Sequence, residues 1–90
     1  MSVVIKILGE ASGRASHMTG CFVSAYDPDA FAGLGRVQGT RDIERATHYP
    51  THREALAAWN TQSTVCPLRP DGRPNKPMTA YTVELVEIKP

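Results

Sequence analysis

The segment 78-MTAYTVELVEI-88 decides the fold, because apolar and polar side chains alternate along most of its length. Tyr81, Val83 and Leu85 fall on one side of an extended chain, and the residues between them are polar. This two-residue period is typical of a β-strand with one buried face. Such a face needs neighbouring strands and a covering element, so the rest of the chain should provide both.

Three earlier segments also indicate strands. Residues 2–9, SVVIKILG, are rich in β-branched side chains and apolar on both sides, which predicts a central strand. Residues 21–27, CFVSAYD, predict a second strand in which Tyr26 faces away from Val23. Residues 36–40, RVQGT, favour a short third strand.

One helix is clearly marked in the segment PTHREALAAWNTQS, which begins at Pro50. Thr51 is followed three residues later by Glu54, the spacing of a capping box that covers N–H groups of the first turn. The apolar side chains after it share one helical face, formed by Ala55, Leu56, Ala58 and Trp59. Trp59 is expected to anchor the core. A shorter helical turn, capped by Thr40, is expected upstream.

These elements predict an α+β fold in the order β-β-(β)-α-β. A small antiparallel or mixed β-sheet of three to four strands would carry one main helix packed on one face. Ninety residues make a single domain, 1–90, with a thin core.

The bulk properties point to a soluble protein of the cytoplasm. The net charge of +1 gives no overall field that would attract nucleic acid or acidic lipid. No apolar run approaches the roughly 18 residues of a membrane span, and no secretory signal is visible at the N-terminus. Two widely separated cysteines, Cys21 and Cys66, do not make a disulfide framework.

The residues that could bind a metal or catalyse a reaction are better explained by structural roles. His48 and His52 are four apart and the two cysteines could complete a zinc site, but Pro50 lies between the histidines. Asp27 and Asp29 flank Pro28 in the manner of a turn. No nucleophile motif such as GxSxG accompanies the serines. We therefore expect no enzyme, no cofactor and no metal.

Residues 67–77, PLRPDGRPNKP, form the most unusual segment, with four prolines, one glycine and three cations. Proline forbids helix and removes donors from a sheet, so the segment predicts a stiff crossing from the helix to the last strand. Pro70-Asp71-Gly72 has the chemistry of a tight turn.

Basic and polar side chains around this segment are the candidate partner-binding residues. If they converge, they would make a patch for phosphate or carboxylate groups, with arginine forks and a tyrosine for stacking. The alternative is that the loop cations are merely solvated while nearby acids neutralise the others. The candidates are Arg69, Asp71, Arg73, Asn75, Lys76, Arg36, Arg41 and Tyr49.

Two segments together resemble a family of small bacteriophage and prophage proteins. One is AYDPDAFAGLGRVQGTRDIERATHYPTHREALAAWN, with its YDPD turn and EA…W ending, and the other is CPLRPDGRPNKPMTAYTVELVEI. The resemblance covers residues 26–88. It implies a viral or prophage context, and carries over no catalytic residues. Stand-alone phage proteins of this size are often binders that redirect or inhibit host machinery.

The predicted function is a non-enzymatic phage or prophage accessory protein in the host cytoplasm. It would bind a host or phage protein through the loops 27–35 and 67–77. The first alternative is weak nucleic-acid binding through an arginine patch. The second is a virion or self-assembling subunit, with a homodimer formed through a sheet edge. No membrane partner is expected.

Overall fold

A computed structural model describes residues 2–89. The chain forms four strands, β1 to β4, at Ser2–Glu10, Phe22–Asp27, Arg36–Thr40 and Tyr81–Ile88. The main helix spans His52–Trp59, and short helical turns lie at Ala30–Gly33, Ile43–Arg45 and Pro77–Ala80.

The four strands form one antiparallel sheet in the order β3-β2-β1-β4. The predicted α+β fold with one main helix is therefore confirmed, and β1 occupies the central position that its two apolar sides predicted. The pairing of β1 with β4 is the most extensive, and it places Ile5 opposite Leu85. The main helix contacts both of these strands.

A β-bulge in β2 changes which side chains face the core. The register with β3 shifts between Val23 and Ala25, so Ser24 is an extra residue on β2. The alternation reverses at this point: Ala25 is exposed, whereas Tyr26 packs against the core together with Val23. The prediction that Tyr26 faces away from Val23 was wrong, because strict alternation does not survive an inserted residue.

The core lies between the sheet and the main helix. Val3, Ile5 and Ile7 of β1 are fully buried, as are Met78 and Ala55 from the two elements that cover them. Fully burying one such large aliphatic side chain contributes roughly 1.5–3 kcal/mol, so this strand is the main source of hydrophobic stabilisation. On the opposite face of β1, Val4 is also fully buried, whereas Leu8 is 45% exposed.

The helix begins where the sequence indicates. The Thr51 hydroxyl accepts a hydrogen bond from the Glu54 N–H at 3.2 Å, which confirms Thr51 as the N-cap. Trp59 is half-buried against the core, and its indole Nε1 donates to the Tyr81 carbonyl at 3.2 Å. Leu56, predicted to share the buried face, is 48% exposed.

The turn expected after Thr40 is a short 3₁₀ helix at Ile43–Arg45, and its N-cap is Asp42. The Asp42 carboxylate accepts a hydrogen bond from the Glu44 N–H at 3.0 Å. Thr40 instead accepts from the Asp42 N–H at 3.1 Å, one step earlier in the chain. None of the helices within residues 2–89 combines the length and the apolar character that crossing a membrane requires.

Candidate functional site

Two loops that are distant in sequence meet on one side of the molecule. They comprise residues 29–35 and residues 63–77, and we call them together the two-loop platform. Asp29 provides the first link, because its carboxylate reaches across to the second loop. It accepts hydrogen bonds from the Ser63 hydroxyl at 2.9 Å and from the Thr64 N–H and hydroxyl at 2.6 and 2.7 Å. The Val65 N–H donates a further bond at 3.2 Å.

These donors make the Asp29 carboxylate unusually acidic. The Thr64 hydroxyl and N–H, helped by Ser63 and Val65, lower the pKa of Asp29 from 3.8 to about 2. Hydrogen bonds to the charged form favour that form, so the link persists well into acid. The low pKa of Asp29 therefore reflects its role in holding the two loops together. Because its oxygens are already bound to donors, they are poorly placed to act as a base or a metal ligand.

Asn75 provides the second link. Its Nδ2 donates to the Gly33 carbonyl at 2.7 Å and to the Cys66 carbonyl at 2.9 Å, so that one amide holds both loops. The loops approach closely here because Gly33 has no side chain: a Cβ at this position would overlap the Cβ of Cys66. Gly33 also has φ +95°, which other residues adopt only with strain.

Tyr26 links the two residues that flank the second loop, Thr61 and Met78, to the body of the fold. Its hydroxyl donates to the Thr61 carbonyl at 2.9 Å and accepts from the Met78 N–H at 3.3 Å. Burial raises the pKa of the Tyr26 phenol, which therefore keeps its proton for the bond to Thr61. The bulge in β2 is what turns this side chain inward.

The first loop stores backbone strain. Phe31 and Ala32 both have left-handed conformations, with φ of 53° and 56°. Two consecutive non-glycine residues in this region cost roughly 1–2 kcal/mol each, and such strain persists only where the surroundings hold it. The links made by Asp29 and Asn75 are those surroundings. In this loop Phe31 is 69% exposed and Leu34 is 81% exposed.

The second loop contains the predicted tight turn. The Gly72 N–H donates to the Arg69 carbonyl at 2.9 Å, and the Arg69 N–H donates to the Arg73 carbonyl at 2.8 Å. The turn presents Leu68, which is 55% exposed, beside the first loop. A cavity of about 220 Å³ lies between the loops, lined largely by apolar atoms, with Leu34 and Leu68 among its walls.

Several of the predicted partner-binding residues in the second loop already make hydrogen bonds within the chain. The Arg69 guanidinium donates to the Thr79 hydroxyl at 3.2 Å while also lining the cavity. Asp71 accepts from the Arg73 N–H at 3.0 Å and forms an exposed ion pair with its side chain at 3.8 Å. Asn75 is the clamp described above. The carbonyl of Lys76 accepts from Thr79 at 2.6 Å.

The remaining candidates lie on other elements. Arg36 begins β3, directly after the glycine that contacts Pro77. Arg41 follows the other end of β3, where its Nη1 is beside Gly20. Tyr49 exchanges backbone hydrogen bonds of 2.8 Å with Val3, and burial raises the pKa of its phenol. The candidates are therefore distributed over several parts of the fold.

The histidines and cysteines do not form a site. In the part of the chain that the structure describes, no three His, Cys, Asp or Glu side chains are close enough together to hold a metal ion. His48 is hydrogen bonded to Ser2 and to the Ile43 carbonyl, at 2.9 and 3.0 Å. Cys21 is buried, and Cys66 is an exposed free thiol on the platform.

The platform's exposed apolar side chains were not among the predicted partner-binding residues. These are Phe31, Leu34, Val65 and Leu68. The sequence did contain an indication that these side chains are exposed, because a phenylalanine and a leucine between turn-forming residues have no helix or strand in which to be buried. The long-range links made by Asp29 and Asn75 had no such signal.

No protein-family model, no curated protein and no solved structure matches this chain. The resemblance to small phage and prophage proteins therefore stays a prediction.

Proposed function

We propose that this chain is a non-enzymatic accessory protein that binds another protein through the two-loop platform. The observation that carries the proposal is the strained and fastened loop that holds Phe31 and Leu34 in solvent. A mere connection between strands needs neither left-handed non-glycine residues nor long-range clamps. A binding surface benefits from both, because a loop ordered in advance loses less entropy when a partner docks.

The side chains of the platform suggest the chemistry of the partner. Phe31 is a large rigid anchor with low entropy, the kind of residue that fills a pocket in a partner and dominates affinity. Leu34 and Leu68 extend the apolar area around the small cavity. Arg69 stands at its rim with a positive charge. The complementary surface is an apolar pocket with an acidic group beside it.

The source of the partner follows from the resemblance to phage and prophage proteins. On that basis the partner is a host or phage protein in the bacterial cytoplasm. A protein partner is favoured over nucleic acid because the arginines are spread over the molecule: Arg41 lies beside Gly20, and Arg45 pairs with Asp42 at 3.5 Å. Phosphate binding by a surface of this size would require several of these charges side by side.

The test is an affinity capture from bacterial lysate, with and without nuclease, using wild type and Phe31→Gly. Glycine adopts left-handed φ without strain, so this variant should be at least as stable as wild type while lacking the anchor. We expect it to lose the captured protein. Leu8→Ala is the matched control, because Leu8 is also exposed but lies outside the platform.

Two outcomes would contradict the proposal. If Phe31→Gly captures the same protein as wild type, the platform is not the binding surface. If the captured material disappears on nuclease treatment in every sample, the partner is nucleic acid.

A further inference from the structure

Among the described residues, 2–89, no strand pairs with the outer edge of β4. The sheet order places β4 at one edge, and its eight residues pair only with β1. An open edge exposes backbone N–H and C=O groups to any strand that can pair with them. Natural edge strands are usually short or carry lysine or proline, yet Tyr81–Ile88 contains neither residue. The opposite edge, β3, has five residues and faces a bulged neighbour.

The hydrogen bonds of β1 show which groups of β4 point outward. Val3 exchanges backbone bonds with Tyr49, on the side of β1 away from β4. Ile7 likewise donates to Cys21 and accepts from Gly20 on that side. Their partners on β4, Glu87 and Val83, are therefore non-hydrogen-bonded pairs with β1.

By the alternation of an antiparallel ladder, the N–H and C=O groups of Val83, Leu85 and Glu87 are directed to the open edge. The register has no shift between these residues, so Leu85 follows the same rule as the two on either side of it. One step further along, the Tyr81 carbonyl is already occupied by the Trp59 indole at 3.2 Å. The edge thus offers three alternate residues for pairing with another strand, and it ends at Tyr81, where the carbonyl is already bound.

We propose that β4 pairs antiparallel with β4 of a second copy of this chain, with Leu85 on the two-fold axis. In this register Leu85 lies opposite Leu85 of the other copy, and Val83 lies opposite Glu87. It is the one two-fold register that pairs all three outward-directed residues with one another. Each hydrogen-bonded pair exchanges two backbone bonds, so all three residues of both copies are satisfied.

Charge is compatible with this register and excludes two others. Shifting the axis to residue 84 would place Glu84 directly opposite its own copy, and shifting it to residue 87 would do the same to Glu87. Like charges directly opposite one another destabilise a pair of strands. With the axis at Leu85, Glu84 faces Val86 and no acidic residue of β4 directly faces another.

The side chains of β4 that face the main helix also favour pairing with a second copy of this chain. Val83 and Leu85 line an apolar cavity of about 400 Å³ together with Leu56 and Trp59. Side chains of directly opposed residues lie roughly 5 Å apart on the same face of a sheet. Pairing therefore brings Leu85 of the second copy to the open side of this cavity. The dimer is independent of the two-loop platform, with which this edge shares no residue.

The test is sedimentation equilibrium of wild type, Glu87→Pro and Glu87→Ala. Wild type should sediment at twice the 9.8 kDa of one chain. Proline removes an outward N–H without touching the bonds to β1, so Glu87→Pro should raise the dissociation constant about tenfold or more while circular dichroism stays unchanged. Glu87→Ala keeps the N–H and should remain dimeric. A wild-type monomer at every soluble concentration overturns the proposal, and would leave the edge to a strand of another protein.

The register has its own test in a Cys66→Ser background, which removes the exposed native thiol. In the proposed register the Cα atoms at residue 85 are about 5.5 Å apart, within disulfide range, so Leu85→Cys should form a cross-linked dimer on oxidation. Thr82→Cys should not, because its counterpart lies about 20 Å away along the strand. Cross-linking of Thr82→Cys but not of Leu85→Cys would overturn the register.

Discussion

Replacing Asn75 tests whether one amide holds the two loops together. Asn75→Ala removes two hydrogen bonds, to the carbonyls of Gly33 and Cys66 at 2.7 and 2.9 Å. A bond of this kind contributes about 1 kcal/mol net, so the free energy of unfolding should fall by about 2 kcal/mol. In a domain of this size that loss lowers the melting temperature by roughly 8–16 °C.

Asn75→Asp makes the test specific to the direction of the bonds. The substitution keeps the size of the side chain but replaces two donors with an acceptor that faces two carbonyl oxygens. It should therefore destabilise the protein more than Asn75→Ala does. Asn60 is the matched control, since it lies at the end of the main helix and its Nδ2 donates a single hydrogen bond to the Leu56 carbonyl. Asn60→Ala should cost about 1 kcal/mol or less.

Urea unfolding followed by Trp59 fluorescence measures these differences. With a slope near 1 kcal/mol/M, Asn75→Ala should shift the midpoint down by about 2 M. If Asn75→Asp is as stable as Asn75→Ala, the amide nitrogen does not face the two carbonyls. If Asn75→Ala costs no more than the Asn60 control, the loops are held by other contacts.

Three further substitutions test neighbouring parts of the structure. Gly33→Ala should lose roughly 2–5 kcal/mol in urea unfolding, from overlap and left-handed strain, whereas Gly13→Ala has the same strain in open space and should lose only about 1–2 kcal/mol. Asp29 contributes stability fully above its unfolded pKa of 3.8 and loses it as the pH falls through about 2; the stability gap between wild type and Asp29→Asn should therefore narrow in melts between pH 4 and pH 2. Tyr26→Phe should cost about 1–3 kcal/mol, because it leaves the N–H of the buried Met78 without a partner, and an unchanged melting temperature would contradict that bond.

Local rules were sufficient for the four strands and the main helix. The alternation at Tyr81, Val83 and Leu85 predicted β4, and the apolar residues on both sides of β1 predicted its central place. Thr51 marked the start of the helix, since a cap depends on residues a few positions apart. The bulge at Ser24 escaped prediction because an inserted residue is defined by its partner strand, which the local sequence does not contain.

The platform could be predicted only in part. The tight turn in the loop 67–77 was predicted and is present, because proline and glycine act on their own backbone. The fastening contacts are different: Ser63 reaches Asp29 over 34 positions and Asn75 reaches Gly33 over 42. From the sequence alone, a polar side chain on a loop could equally contact a partner or hold two loops together. Only the folded structure shows which of these two roles it has.

The β4 edge and the two-loop platform can be distinguished by one experiment, because a dimer formed through β4 would bind a partner bivalently. A dimer through β4 would carry two platforms, so a partner presented densely on a surface would bind both at once and be retained about 10²–10⁴-fold more strongly than by one. Glu87→Pro should then lose retention on a dense surface while its affinity for the partner in solution is unchanged. Phe31→Gly should lose both, since the anchor itself is missing. If Glu87→Pro weakens binding in solution as well, β4 belongs to the partner-binding surface and not to a separate dimer interface.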